Sequence, residues 1–289
     1  MKTIKLILIV MTVLNFPLFA QTSDSTKTKK NISIDISKNG IHIGEKTALD
    51  IKKKKKKHKK SRTSMHFDFG FNNFFDFTNY ESNGVKLLTT NTIQGSALSK
   101  ADMKLNTTRS INFNIWPVWF TQNLAKKNVQ LITGVGFQFF NFRFGTSNTN
   151  YQFVKYDSKA LPPTPSTEFF EPPYLIQFNR EDIRKNKFGA SYASIPLMLK
   201  FTPTPEEEKP LSFAVGIIGS YNLKNWTKVT SNQYGKQKEK GDFGVNNWMF
   251  QWTAEFGVED IFKFYGTYSP QSIFEKSLNF QPFAIGIRL

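Results

Sequence analysis

The 289-residue sequence contains no cysteine. Disulfides, thiolate metal sites and an acylated cysteine at a mature N-terminus are therefore excluded together. Histidine is nearly missing as well, with only His42, His58 and His66. Neither a Ser-His-Asp arrangement nor a histidine cluster with metal-ligand spacing can be assembled from three residues so placed. The expectation is accordingly no catalytic residue, no cofactor and no metal. Long apolar runs are absent beyond the first twenty residues, and a spanning helix needs about 20 apolar residues in a row. Aromatic residues, by contrast, are abundant, with 30 phenylalanines alone.

At the start of the chain Lys2 and Lys5 precede an apolar stretch that runs to Phe19 and ends at Ala20. This pattern predicts a signal peptide over residues 1–20 and an exported protein. Residues 21–64 read as a polar, Lys-rich leader. Within it ISIDIS (Ile32 to Ser37) and GIHIG (Gly40 to Gly44) flank a Lys-Asn-Gly turn, which predicts a small hairpin. Lys52, Lys53, Lys54, Lys55, Lys56, Lys57, Lys59 and Lys60 follow, and so dense a run fits no packed face. It predicts a disordered basic linker that acts as an electrostatic tether to anionic headgroups or another periplasmic polyanion. Of the formal net charge of +17, residues 1–64 carry +12, so the basicity belongs to the leader. Nucleic acid is not an expected partner, because the run has no interleaved aromatics and no domain to position it.

From Met65 onward the chain alternates large apolar residues with small or polar ones. In YASIPLMLKF, Ile195, Leu197, Leu199 and Phe201 oppose Ser194, Pro196, Met198 and Lys200. In LSFAVGIIGSYNL, Phe213, Val215, Ile217 and Tyr221 oppose Ser212, Ala214, Gly216 and Ser220. Strands alternate faces at each residue, so one face is bulky and apolar and the other crowded and polar. Eight such segments, each roughly 9 to 13 residues, suit tilted strands crossing a membrane. Long and short connections alternate along them. Residues 65–289 are thus expected to form an all-β, eight-stranded antiparallel up-and-down transmembrane β-barrel in the outer membrane, with both termini periplasmic and lipid as its surroundings.

The same alternation aims Asp68, Lys200, Glu255, Lys263 and Arg288 into the lumen near the short-turn end, where buried charges must pair. Closure of first strand on last sets Asp68 opposite Arg288, while Glu255 and Lys263 flank one turn. The carboxylates Asp68 and Glu255 have the residue type for acid-base chemistry, but cations beside them favour a structural role. Trp116, Trp119, Tyr221, Trp226 and Trp248 fall near strand ends and read as membrane-interface aromatics, with Trp119 facing outward.

The leader containing GIHIG, the hairpin YASIPLMLKF…LSFAVGIIGSYNL and the closing YGTYSP…FQPFAIGIRL resemble the PorT-like family of outer-membrane β-barrels of Bacteroidota. The resemblance covers about residues 65–289. It implies an eight-stranded outer-membrane barrel and, for one branch, a part in type IX protein secretion, with secretion-machinery proteins as partners. Leu289 departs from the aromatic residue common at barrel C-termini. The expected function is non-enzymatic: a filled barrel serving as anchor or interaction platform. The alternatives are an accessory component of type IX secretion and a small-solute channel.

Overall fold

The computed structural model describes residues 34–37, 40–43, 61–87, 98–125, 127–145, 151–154, 174–177, 183–232, 235–259 and 261–289. The expected signal peptide, the lysine run from Lys52 to Lys60 and the Pro-rich segment LPPTPSTEFFEPP (161–173) lie outside them. Two compact units divide the chain, residues 1–58 and 59–289. In the first, β1 (Ile34–Ser37) and β2 (Gly40–Ile43) pair antiparallel, Ser37 opposite Gly40. This is the hairpin expected from the two alternating pieces.

In the second unit the strands are β3 (Ser61–Asp76), β4 (Ile111–Ala125), β5 (Val129–Phe144), β6 (Tyr151–Val154), β7 (Tyr174–Gln177), β8 (Ile183–Phe201), β9 (Leu211–Ser231), β10 (Gly235–Gly241), β11 (Trp248–Val258), β12 (Phe262–Tyr268) and β13 (Phe280–Arg288). β6 and β7 form a separate two-stranded ribbon. The rest make a nine-stranded antiparallel sheet in the order β10-β9-β11-β12-β13-β3-β4-β5-β8. Further pairing of β8 with β9 bends this sheet into a ring. Such closure pairs the strands of the ring on both sides and leaves a free edge on β10.

The sheet has nine strands where eight are expected: eight close the ring, and the ninth, β10, is attached to β9 beside it. Strand β9 runs 21 residues, well past the apolar alternation that marks its lower half. Its lower part, Leu211 to Tyr221, pairs with β11, and its upper part, Asn225 to Ser231, pairs with β10. β10 has the sequence GKQKEKG, which carries no apolar residue to reveal it.

Alternation sorts the side chains. Outward-facing Phe69, Phe137, Leu197, Ile217, Trp252, Phe264 and Ile285, from different strands of the ring, are all exposed, Trp252 at 62% and Ile285 at 60%. The interior is filled in layers. Ionic groups occupy the end with the short connections. Above them Asn112, Asn114, Gln138, Ser194 and Ser220 form a polar middle, in which Ser194 Oγ and Ser220 Oγ both donate to Gln138 Oε1 at 3.0 and 3.1 Å. At the other end Phe142, Phe153, Phe188, Phe243, Phe274 and Phe280 are buried in one apolar cluster, to which the connections at that end contribute Val85, Met103, Val245 and Ile273. The Phe153 and Phe274 rings stack at 5.2 Å.

Candidate functional site

The lumen charges converge as their register requires. Arg288 on β13 lies directly opposite Asp68 on β3, and Lys263 on β12 opposite Arg288. Partners across an antiparallel ladder share a face, so these side chains meet inside the ring. Arg288 donates from Nε to Asp68 Oδ1 at 2.6 Å and from Nη2 to Asp68 Oδ2 at 2.8 Å, a two-pronged pair. Its Nη1 donates to Glu255 Oε2 at 2.6 Å. Lys263 Nζ lies 3.4 Å from Glu255 Oε1 and 2.9 Å from Glu259 Oε1. Lys200 Nζ completes the chain 3.2 Å from Glu259 Oε1.

All five residues singled out from sequence, Asp68, Lys200, Glu255, Lys263 and Arg288, therefore belong to one network. Its sixth member, Glu259, sits in the turn between β11 and β12. Sequence reasoning misses it because alternation assigns a face to strand residues and none to a residue of the turn. Three cations face three carboxylates, and Asp68 and Arg288 are almost wholly buried. Burial alone would raise the Glu259 carboxyl, but the ammonium groups of Lys263 and Lys200 outweigh it and hold the carboxyl at about 2.

Two of the expected interface aromatics belong to this network instead. Trp116 is fully buried and donates from Nε1 to Asp68 Oδ2 at 2.8 Å, beside Asn114 Nδ2 at 3.0 Å. Trp119 is also buried, and the Arg288 guanidinium carbon lies 4.3 Å from its ring centre, within cation-π range. The outward placement of Trp119 fails because the β4–β5 register shifts between Ile115 and Val118. At this bulge Pro117 and Val118 are both exposed, and the strand resumes with inverted phase. Gly136 on β5 accommodates the result, since a Cβ there would lie 2.3 Å from Trp116 Cε3.

The remaining three aromatics do face out. Tyr221 and Trp248 are opposite one another in register, with rings 4.9 Å apart, and both are exposed. Trp226 is half-buried five residues further along β9, past a second register shift between Ser191 and Tyr192.

Chemically, the network is committed to holding itself together. Both oxygens of Asp68 and of Glu255 are engaged by cations. His66 interacts through Nε2 with Ser64 Oγ at 2.9 Å and through Nδ1 with the Leu289 carbonyl at 3.1 Å. Among the described residues no group of three or more His, Asp or Glu has a metal-holding arrangement.

No protein-family model and no curated protein matches the chain. Among solved structures the chain is similar to Ail, the attachment invasion locus protein of Yersinia pestis, with 10% sequence identity, a TM-score of 0.32, and coverage of 80% of this chain and 99% of that one.

Proposed function

We propose that the chain is a non-enzymatic integral outer-membrane protein: an eight-stranded barrel, extended at its loop end by β10, whose filled lumen makes it an anchor or interaction platform. The observation that carries this is the inversion of polarity. Phe, Trp, Leu and Ile cover the outside of the ring while six charges are enclosed within it. A soluble monomer rarely exposes an apolar patch beyond a few hundred Å², whereas a barrel in lipid requires such a belt. Long connections at one end and short ones at the other support periplasmic termini and outward-facing loops. A channel is disfavoured by the ionic layer at one end and the aromatic cluster at the other. A part in type IX secretion rests on the family resemblance alone.

Membrane fractionation tests the reading. The protein should be recovered with the outer membrane and show heat-dependent gel mobility in detergent. Recovery as a soluble periplasmic protein with no mobility change overturns it.

A further inference from the structure

Above the apolar belt, the ring carries a second ordered charge pattern on its outer face. Pairing registers set Arg143 of β5 opposite Lys187 of β8, Lys187 opposite Lys228 of β9, and Lys228 opposite Lys238 of β10. Residues opposite one another share a face. This face points outward, because the alternate residues Asn225, Thr227 and Val229 are buried inside. Four cations therefore form one row across four strands, about 14 Å long at the usual strand spacing. On one side of it Lys185 and Lys236 flank Thr230, and on the other Lys240 lies opposite Trp226.

Trp226 forms the floor of this patch. Its ring lies over Gly189, where a Cβ would come within 2.2 Å of the indole, and Lys238 Nζ is 5.7 Å from its centre. Among the described residues no carboxylate forms an ion pair with any of these cations; Glu239 lies on the opposite face of β10, with Thr227. The charges burden one another. Burial and then Lys185, Arg143 and Lys228 depress the Lys187 ammonium, and Lys185 and Lys236 do the same to Lys228.

Lysines on an exposed edge strand guard against strand addition, and that accounts for Lys236, Lys238 and Lys240 on β10. It does not account for Lys187 and Lys228, whose strands are paired on both sides. Like charges directly opposite in a sheet are destabilising, so an anion placed across the row relieves a cost already present. Further down β9, past Trp226 and the exposed Lys224, Leu223 and Tyr221 are exposed and continue into the apolar belt. An anion joined to hydrocarbon fits both.

We propose that Arg143, Lys187, Lys228 and Lys238, over Trp226, bind the phosphate-bearing headgroup of a lipid in the leaflet surrounding the loop end of the barrel. The proposal rests on the membrane reading above. It is tested on the full chain folded in neutral detergent, with heat-dependent mobility confirming the barrel, by native mass spectrometry during titration with a diphosphorylated glucosamine-disaccharide lipid. The wild type should retain the lipid and bind its dephosphorylated form far more weakly. The triple change Lys187→Gln/Lys228→Gln/Lys238→Gln should weaken binding about a hundredfold, each surface cation contributing roughly a factor of five. Lys238→Gln alone, on the edge strand, should cost about fivefold and serves if the triple variant does not fold. Lys127→Gln/Lys209→Gln, in the turns at the other end, should change nothing. Equal binding by the cation variants, equal binding of the dephosphorylated lipid, or displacement by millimolar inorganic phosphate alone overturns the lipid site. Absence of the mobility change in the wild type overturns the membrane reading, and this proposal with it.

Discussion

Arg288 is the residue on which the lumen depends. It holds two carboxylates and rests against Trp119, so its removal leaves Asp68 and Glu255 enclosed with too little positive charge. Arg288→Ala should cost about 3 to 5 kcal/mol, the usual penalty for orphaning a buried charge. Arg288→Lys should recover only part, since an ammonium cannot reproduce the planar two-pronged contact. Urea unfolding of the refolded protein reads both. Arg288→Ala/Asp68→Ala should be more stable than Arg288→Ala, and a double variant that is no better refutes the pair. Glu259 supplies a pH signature. Its folded carboxyl titrates at about 2, below the ordinary 4.5, so its ion pairs with Lys263 and Lys200 stabilise fully above the unfolded value. That contribution fades as pH falls from about 4.5 towards 2. Glu259→Gln should therefore be less stable than the wild type at pH 7 and nearly matched to it at the acid end, a difference that denaturation midpoints across pH would show.

Among the elements, β4 shows why parts of the site were legible and others not. Asp68, Lys200, Glu255, Lys263 and Arg288 were readable because alternation is unbroken in the stretch of strand around each of them, and ring closure then fixes the partners. Trp119 was not, because Pro117 and Val118 interrupt the period and a single extra residue reverses every face beyond it. Glu259 was hidden by its turn. β10 was hidden by composition, because GKQKEKG offers no apolar residue whose period could be read. The β4 bulge gives a test: deleting Val118 removes the extra residue and should leave Trp119 inward, whereas deleting Pro117 and Val118 together should turn it outward. In variants keeping only that tryptophan, its fluorescence should stay shielded in the single deletion and become accessible to a water-soluble or lipid quencher in the double one, with a stability loss of about 0.5 to 2 kcal/mol from the lost cation-π contact alone. The same quenching in both deletions would mean that the bulge does not set the phase.

At the scale of the whole molecule, three interior layers and one exterior belt make a single claim about solvent. Charged residues are tolerated inside because they pair, and on the proposed reading bare phenylalanines are tolerated outside because lipid covers them. A barrel filled in this way should not conduct. Reconstituted in planar bilayers it should give no stable single-channel steps, and regular steps abolished by bulky substitutions at Ser194 or Ser220 would establish an open lumen instead. The most direct test of the account compares two single-tryptophan variants in vesicles whose acyl chains carry bromine. Trp252, exposed on the outer belt, should be strongly quenched, and Trp116, hydrogen-bonded to Asp68 inside the ring, should be almost unaffected. Equal quenching of the two, or strong quenching of Trp116 alone, would contradict a ring with lipid outside and a filled ionic interior.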